Sequence, residues 1–153
     1  MEIIVARSAG FCFGVDKAVR MALDLVNDNN NKVNVFTLGP IIHNEYVVNM
    51  LASKGAKVID DIEQATVPGH VLIRTHGVVP EIYNKIKELK LDFTDATCPY
   101  VKKIHNLVKE KYEQGYQILI VGNKNHPEVE GINGWCNNTA FILESIEDVD
   151  ILP

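Results

Sequence analysis

Cysteine is scarce in this 153-residue chain: three in all, widely spaced, with no Cys-x-x-Cys pair. A scattered, odd-numbered set argues against a disulfide scaffold and removes the main support for a zinc ribbon or a thioredoxin-type redox pair. No apolar run approaches the roughly 20 residues that a membrane-spanning helix needs. The opening residues MEIIVARSAG place an acidic residue at position 2 ahead of a short apolar stretch, which is not a secretory leader. The expected setting is therefore a reducing cytoplasm. Basic residues are outnumbered, 15 Lys and Arg against 20 Asp and Glu, for a formal net charge of −5. That balance argues against general nucleic-acid or membrane-surface binding, though a local basic patch is compatible with it. A Walker-type phosphate loop is missing as well, so nucleoside triphosphate binding has no motif behind it.

What the chain does have is alternation. Strand-like runs at 2–6, 32–38, 70–75, 91–97, 116–122 and 140–145 are separated by helical periods. Val15, Ala18, Val19, Ala22, Leu23 and Val26 share one helical face. Further helices are expected at 44–55, 80–90 and 100–115, the second opening on Pro80 and the last closing on Gly115. The polar run 27–32 reads as a loop. Such alternation predicts an α/β fold with right-handed crossovers and a parallel sheet. A soft division near residue 97 separates a first α/β domain, 1–97, from the start of a second, 98–153, which is incomplete with its two strands.

Ligands of parallel sheets sit beyond the carboxyl ends of the strands, and the chemically capable residues cluster there. Cys12 follows the first expected strand, His43 the second, His76 the third and Cys98 the fourth, while His126, Glu128 and Glu130 follow the fifth. In four of these five exits a Gly or Pro lies within two residues. Cys12 sits in GFCFGV, where Gly10 and Gly14 allow close backbone approach and Phe11 and Phe13 would keep water away. Cys98 precedes Pro99 at an expected helix N-terminus, where the helix dipole favours thiolate. Either thiol alone could be a small buried hydrophobe; two at equivalent turns suit a shared metal or cluster better than a local redox pair. His43, His76 and His126, together with helix N-terminal amides, make a good diphosphate site. Glu128 is a proton source or else an acidic residue favouring the helix dipole. His70 and His105 read as solvated, and Cys136 as incidental.

The motifs AGFCFGV, LGPIIHN, IRTHGV, DATCPYVKKIH and GNKNHPEVEGINGW, in this order, resemble the LytB family of 4-hydroxy-3-methylbut-2-enyl diphosphate reductases. The resemblance implies repeated α/β domains around a central iron–sulfur site. It also implies reductive removal of the substrate's allylic hydroxyl, giving isopentenyl and dimethylallyl diphosphate in the non-mevalonate isoprenoid pathway. By the same resemblance Cys12 and Cys98 are two of three thiolate ligands to a 4Fe–4S cluster, and His43, His76 and His126 hold the diphosphate. Glu128 supplies protons, and an external donor of ferredoxin or flavodoxin type supplies electrons. The family's third cluster cysteine lies further along than Pro153, so the chain matches the N-terminal portion and is expected to be inactive, or nearly so, in isolation. The alternative is a non-catalytic α/β module that binds a phosphorylated small molecule. A thiol enzyme with Cys12 as nucleophile ranks last, because no base is fixed beside it.

Overall fold

β-Branched runs bounded by turn residues, each followed by a helix with one apolar face, dictate a sheet covered on both sides. The computed structural model describes residues 1–28 and 33–152. Helix α1 (Phe13–Asp28) leads into β1 (Asn34–Leu38), α2 (Glu45–Ser53) and β2 (Ala56–Ile59). A short 3-10 turn at Ile62–Gln64 precedes β3 (Gly69–Ile73), α3 (Pro80–Glu88) and β4 (Asp92–Asp95). The chain continues through α4 (Pro99–Glu113), β5 (Leu119–Val121), α5 (Pro127–Gly134) and β6 (Phe141–Leu143) to a second 3-10 segment, Ile146–Ile151.

The first four strands form one sheet in the order β2-β1-β3-β4, and β5 and β6 form a second. Every pairing is parallel. Alternation along the strands divides the core. Val35 and Leu72 face α1 and α2 with Ala18, Ala22, Val47 and Leu51. Phe36, Leu38, Val71 and Ile73 face Ile86 of α3 on the opposite side. A smaller core of Ile120, Val129 and Ile132 packs α5 on the β5–β6 pair.

Three expectations need correction. Residues 2–6 form no strand: Ile3, Ile4 and Val5 are exposed and pair with no strand among the described residues. β2 and α5 were not foreseen, for reasons taken up in the Discussion. The strand expected over 32–38 begins at Asn34, and position 32 lies outside the described residues, as do 29–31 of the expected polar loop.

Candidate functional site

The exit loops of β1, β3 and β4 are stitched together beyond the sheet. Thr75 donates from both its backbone N and its Oγ1 to the carbonyl of Ile41, at 3.3 and 3.1 Å. The Cys98 amide donates to the Thr75 carbonyl at 2.9 Å. This ladder fixes the segments that carry His43, His76 and Cys98 against one another. His43 lies just before Asn44, whose side chain caps α2 by accepting from the Val47 amide at 3.1 Å. His76 sits in a tight turn closed by the Gly77 amide and the Arg74 carbonyl at 3.0 Å. Gly77 takes φ +73° there, a left-handed conformation that glycine adopts without strain. His126 is the N-cap of α5, its Nδ1 accepting from the Glu128 amide at 3.2 Å.

These three imidazoles converge. The ring centroids of His43 and His76 are 4.8 Å apart, those of His76 and His126 5.6 Å, and those of His43 and His126 6.2 Å. One ring nitrogen from each lies within 4.8 Å of those of the other two. His76 is the least exposed. Burial, with the neighbouring His43, Arg74 and His126 adding to it, pushes its pKa down to about 4. A cationic neighbourhood that penalises its own protonation is one that an anion relieves. A nitrogen triangle of this size also suits a divalent metal, but the tautomer weighs against that use. With Nδ1 of His126 engaged as an acceptor, a neutral ring carries its proton on Nε2 and offers a donor rather than a lone pair.

The thiols lie at the same end of the molecule. Cys12 is exposed and immediately precedes α1, where its carbonyl accepts from the Asp16 amide at 2.9 Å. Cys98 is the N-cap of α4, and its side chain makes no capping bond. The first turn of α1 abuts that sulfur: a Cβ on Gly14 would lie 2.6 Å from Cys98 Sγ. Both cysteines therefore stand at helix N-termini, and the missing side chain of Gly14 lets the two turns approach this closely. Two free thiols on turns brought together in this way are a donor set that fits a thiolate-bound iron–sulfur cluster. Phe11 and Phe13 do not form the expected screen within the described residues, being 48% and 67% exposed.

Glu128 is half-buried in the first turn of α5, tied to His126 through its backbone, and its carboxylate has no hydrogen bond or ion pair among the described residues. Glu130 is exposed and acts electrostatically on Arg74. Two expectations about the remaining histidines fail. His70, at the N-terminal end of β3 and so away from the site, is half-buried and bonded to Thr94 Oγ1 at 2.8 Å. His105 is 1% exposed and stacks on Trp135. Cys136 is buried, with its thiol 3.2 Å from the Asn133 carbonyl, outside the site. Thr75 and the buried packing role of His105 escaped sequence reasoning. Only His105 carried a usable signal, since Val101, His105 and Val108 recur at one helical face.

The chain is thus an α/β protein whose parallel sheet carries three converging histidines and two free thiols at its carboxyl edge. The model of the LytB protein family matches residues 3–152, and the chain belongs to that family. The 4-hydroxy-3-methylbut-2-enyl diphosphate reductase of Alkaliphilus oremlandii is 46% identical over 153 residues, covering 100% of this chain and 54% of that protein. The enzyme of the same name from Clostridioides difficile is 45% identical over 152 residues, covering 98% and 53%. Among solved structures, the E-1-hydroxy-2-methyl-but-2-enyl-4-diphosphate reductase of Plasmodium falciparum superposes with a TM-score of 0.89 at 33% identity, over 96% of this chain and 46% of that one. A structure of (E)-4-hydroxy-3-methyl-but-2-enyl diphosphate reductase, the terminal enzyme of the non-mevalonate pathway, superposes with a TM-score of 0.81 at 41% identity, over 96% and 52%. The chain thus spans about half the length of the relatives it matches.

Proposed function

We propose that this chain carries the diphosphate-anchoring half of a 4-hydroxy-3-methylbut-2-enyl diphosphate reductase acting in the cytoplasm. The observation that carries the reading is the convergence of His43, His76 and His126 beside Cys98, on loops bound into one ladder. The two sheets correspond to a first domain over 1–97 and a second beginning at 98, each supplying part of the triad and one thiol.

In this reading Nε2–H donors and helix N-terminal amides hold the diphosphate and fix the allylic end toward the thiols. Cys12 and Cys98 would hold a 4Fe–4S cluster together with a third ligand from outside this chain, and such a cluster, when bound, supplies one-electron reduction. The net reaction breaks the allylic C–O bond and releases water, taking up a pair of electrons and a pair of protons. Glu128, one turn from the triad, delivers protons to the leaving oxygen. The electrons come from an external ferredoxin- or flavodoxin-type donor. With part of the cluster's ligand set absent, the isolated chain binds diphosphate but turns over little or no substrate.

Titration calorimetry with inorganic pyrophosphate tests the anchor. His43→Ala, at an exposed position, should leave the thermal midpoint unchanged and weaken binding by about tenfold or more, as loss of a charge-assisted contact would. Failure of the unaltered chain to prefer pyrophosphate over sulfate overturns the reading. A non-catalytic module binding a phosphorylated small molecule shares this outcome. It differs in that Cys12→Ser and Cys98→Ser would change nothing, whereas the reductase reading requires both to abolish iron and sulfide uptake when the full-length protein is reconstituted anaerobically.

A further inference from the structure

His105 is the least solvent-accessible histidine of the chain, and the site described above does not use it. Its ring is wedged between two glycines on different segments. A Cβ on Gly77 would lie 2.5 Å from His105 Cε1, and a Cβ on Gly131 would lie 3.6 Å from its Nε2. Gly77 follows His76 directly, and Gly131 belongs to α5, whose N-cap is His126. The ring also stacks on Trp135, with centroids 5.4 Å apart and planes inclined by 24°. The Trp135 indole in turn donates to the Val78 carbonyl at 3.2 Å. His105 itself lies two turns into α4, whose N-cap is Cys98. One imidazole therefore touches the loop of His76 and the helix of His126 from the helix that begins at Cys98.

The surroundings are those of a functional turn rather than an ordinary core. His105 Nε2 itself, with Arg74 Nε and His76 Nδ1 of the adjoining turn, is a buried side-chain atom with no hydrogen-bond partner among the described residues. Buried polar atoms left in this state are uncommon in packed interiors, where an apolar side chain would fill the same volume without penalty. Burial pushes the pKa of His105 down to about 4, with Asp95 raising it and Lys102 lowering it, so the ring is neutral at physiological pH. A neutral ring adds no charge beside the triad.

We propose that His105 is a positioning residue that sets the distance between the His76 turn and helix α5, and so the convergence of His76 on His126. The functional consequence rests on the reading of the triad as a diphosphate anchor; the geometric one does not. His105→Phe keeps an aromatic ring against Trp135 but is too large for the gap at Gly77, and should lift the turn away from α5. His105→Gln keeps polarity while giving up the ring, and should loosen the same contact. Two quantities are measured on the full chain: the titration midpoint of His76, by side-chain nitrogen NMR, and the affinity for inorganic pyrophosphate. In either folded variant His76, no longer buried against His43, Arg74 and His126, should titrate closer to its ordinary value of 6.5. Pyrophosphate should bind about tenfold more weakly, the scale expected of sub-ångström to ångström misplacement. If the unaltered chain binds no pyrophosphate, the anchor reading fails, and the His76 titration still decides the positioning role. An unshifted His76 midpoint in a folded variant overturns the proposal.

Discussion

The sulfur of Cys98 occupies the space that a side chain on Gly14 would need: a Cβ there would come within 2.6 Å of it. Gly14 lies in the first turn of α1 and two residues beyond Cys12, so this contact is what brings the two thiol-bearing turns together. Substituting Gly14 by Ala should be nearly neutral for the helix or favour it by up to ~1 kcal/mol, while the overpacking costs about 1–3 kcal/mol. The larger effect falls on Cys98, which must move. A short bifunctional thiol reagent should bridge Cys12 to Cys98 in the unaltered chain and spare the buried Cys136. In Gly14→Ala the bridged product should fall several-fold, read by mass spectrometry of the digested protein. Equal bridging in both proteins would show that Gly14 does not set the approach.

Acid should destabilise the chain in a defined window. His76 and His105 are both held near 4, largely by burial, against 6.5 for an ordinary histidine. The unfolded chain therefore binds more protons between these values. Stability is complete above about 6.5 and declines as pH falls toward 4, by an amount on the order of 3 kcal/mol for His105. Asp95 is also lowered: burial raises it, but hydrogen bonds from Lys102 and Thr97 outweigh that effect. Its contribution is lost only below the ordinary carboxylate value of 3.8, outside this window. Urea unfolding at pH 7 and pH 5 measures the slope, which His105→Leu should flatten; an unchanged slope in that variant would assign the acid sensitivity elsewhere.

Much of this site is legible in the sequence because the rule that places it is topological. His43, His76 and Cys98 stand after parallel strands, and Pro99 marks the helix start at which the thiol emerges. The parts that are not legible depend on tertiary contact. The run EIIVA has strong strand propensity, yet a strand exists only with a partner. β2 is a short edge strand, with buried Ala56 and Ile59 flanking exposed Lys57 and Val58, too brief for periodicity to register. Helix α5 contains two glycines, which argue against a helix by propensity, and those glycines are what let it pack closely: Gly131 approaches the His76 carbonyl, and Gly134 lies against Val79. His105 is hidden by its neighbours Lys102 and Lys103, although its spacing from Val101 and Val108 marks the apolar face.

On the proposed reading, a Glu128 variant separates binding from proton delivery. His126 Nδ1 accepts from the Glu128 backbone amide, and the Glu128 carboxylate takes no part, so Glu128→Gln leaves that hydrogen bond intact. Pyrophosphate affinity should therefore stay within about twofold. Turnover of the full-length reductase should drop by roughly 10²–10⁴, the range expected when a positioned general acid is lost. A parallel loss of affinity would place the carboxylate on the diphosphate instead, and unaltered turnover would remove it from proton transfer altogether.

The N-terminal segment bears on handling of the chain rather than on chemistry. Ile3, Ile4 and Val5 are 75%, 84% and 74% exposed, and no strand among the described residues pairs with them. Contiguous β-branched residues with unpaired backbone groups are a template for association between copies. The isolated chain should self-associate with rising concentration, and Ile4→Lys should shift the equilibrium toward monomer by placing a charge in the run. Because Ile4 contributes to none of the three cores, the thermal midpoint should hold within about 1 °C, a ΔΔG well under 0.5 kcal/mol. Sedimentation velocity across a concentration series measures the first effect and calorimetry the second. Association that persists unchanged in Ile4→Lys would move the sticky surface elsewhere, with exposed Leu119 and Val121 on the β5 edge the next to substitute.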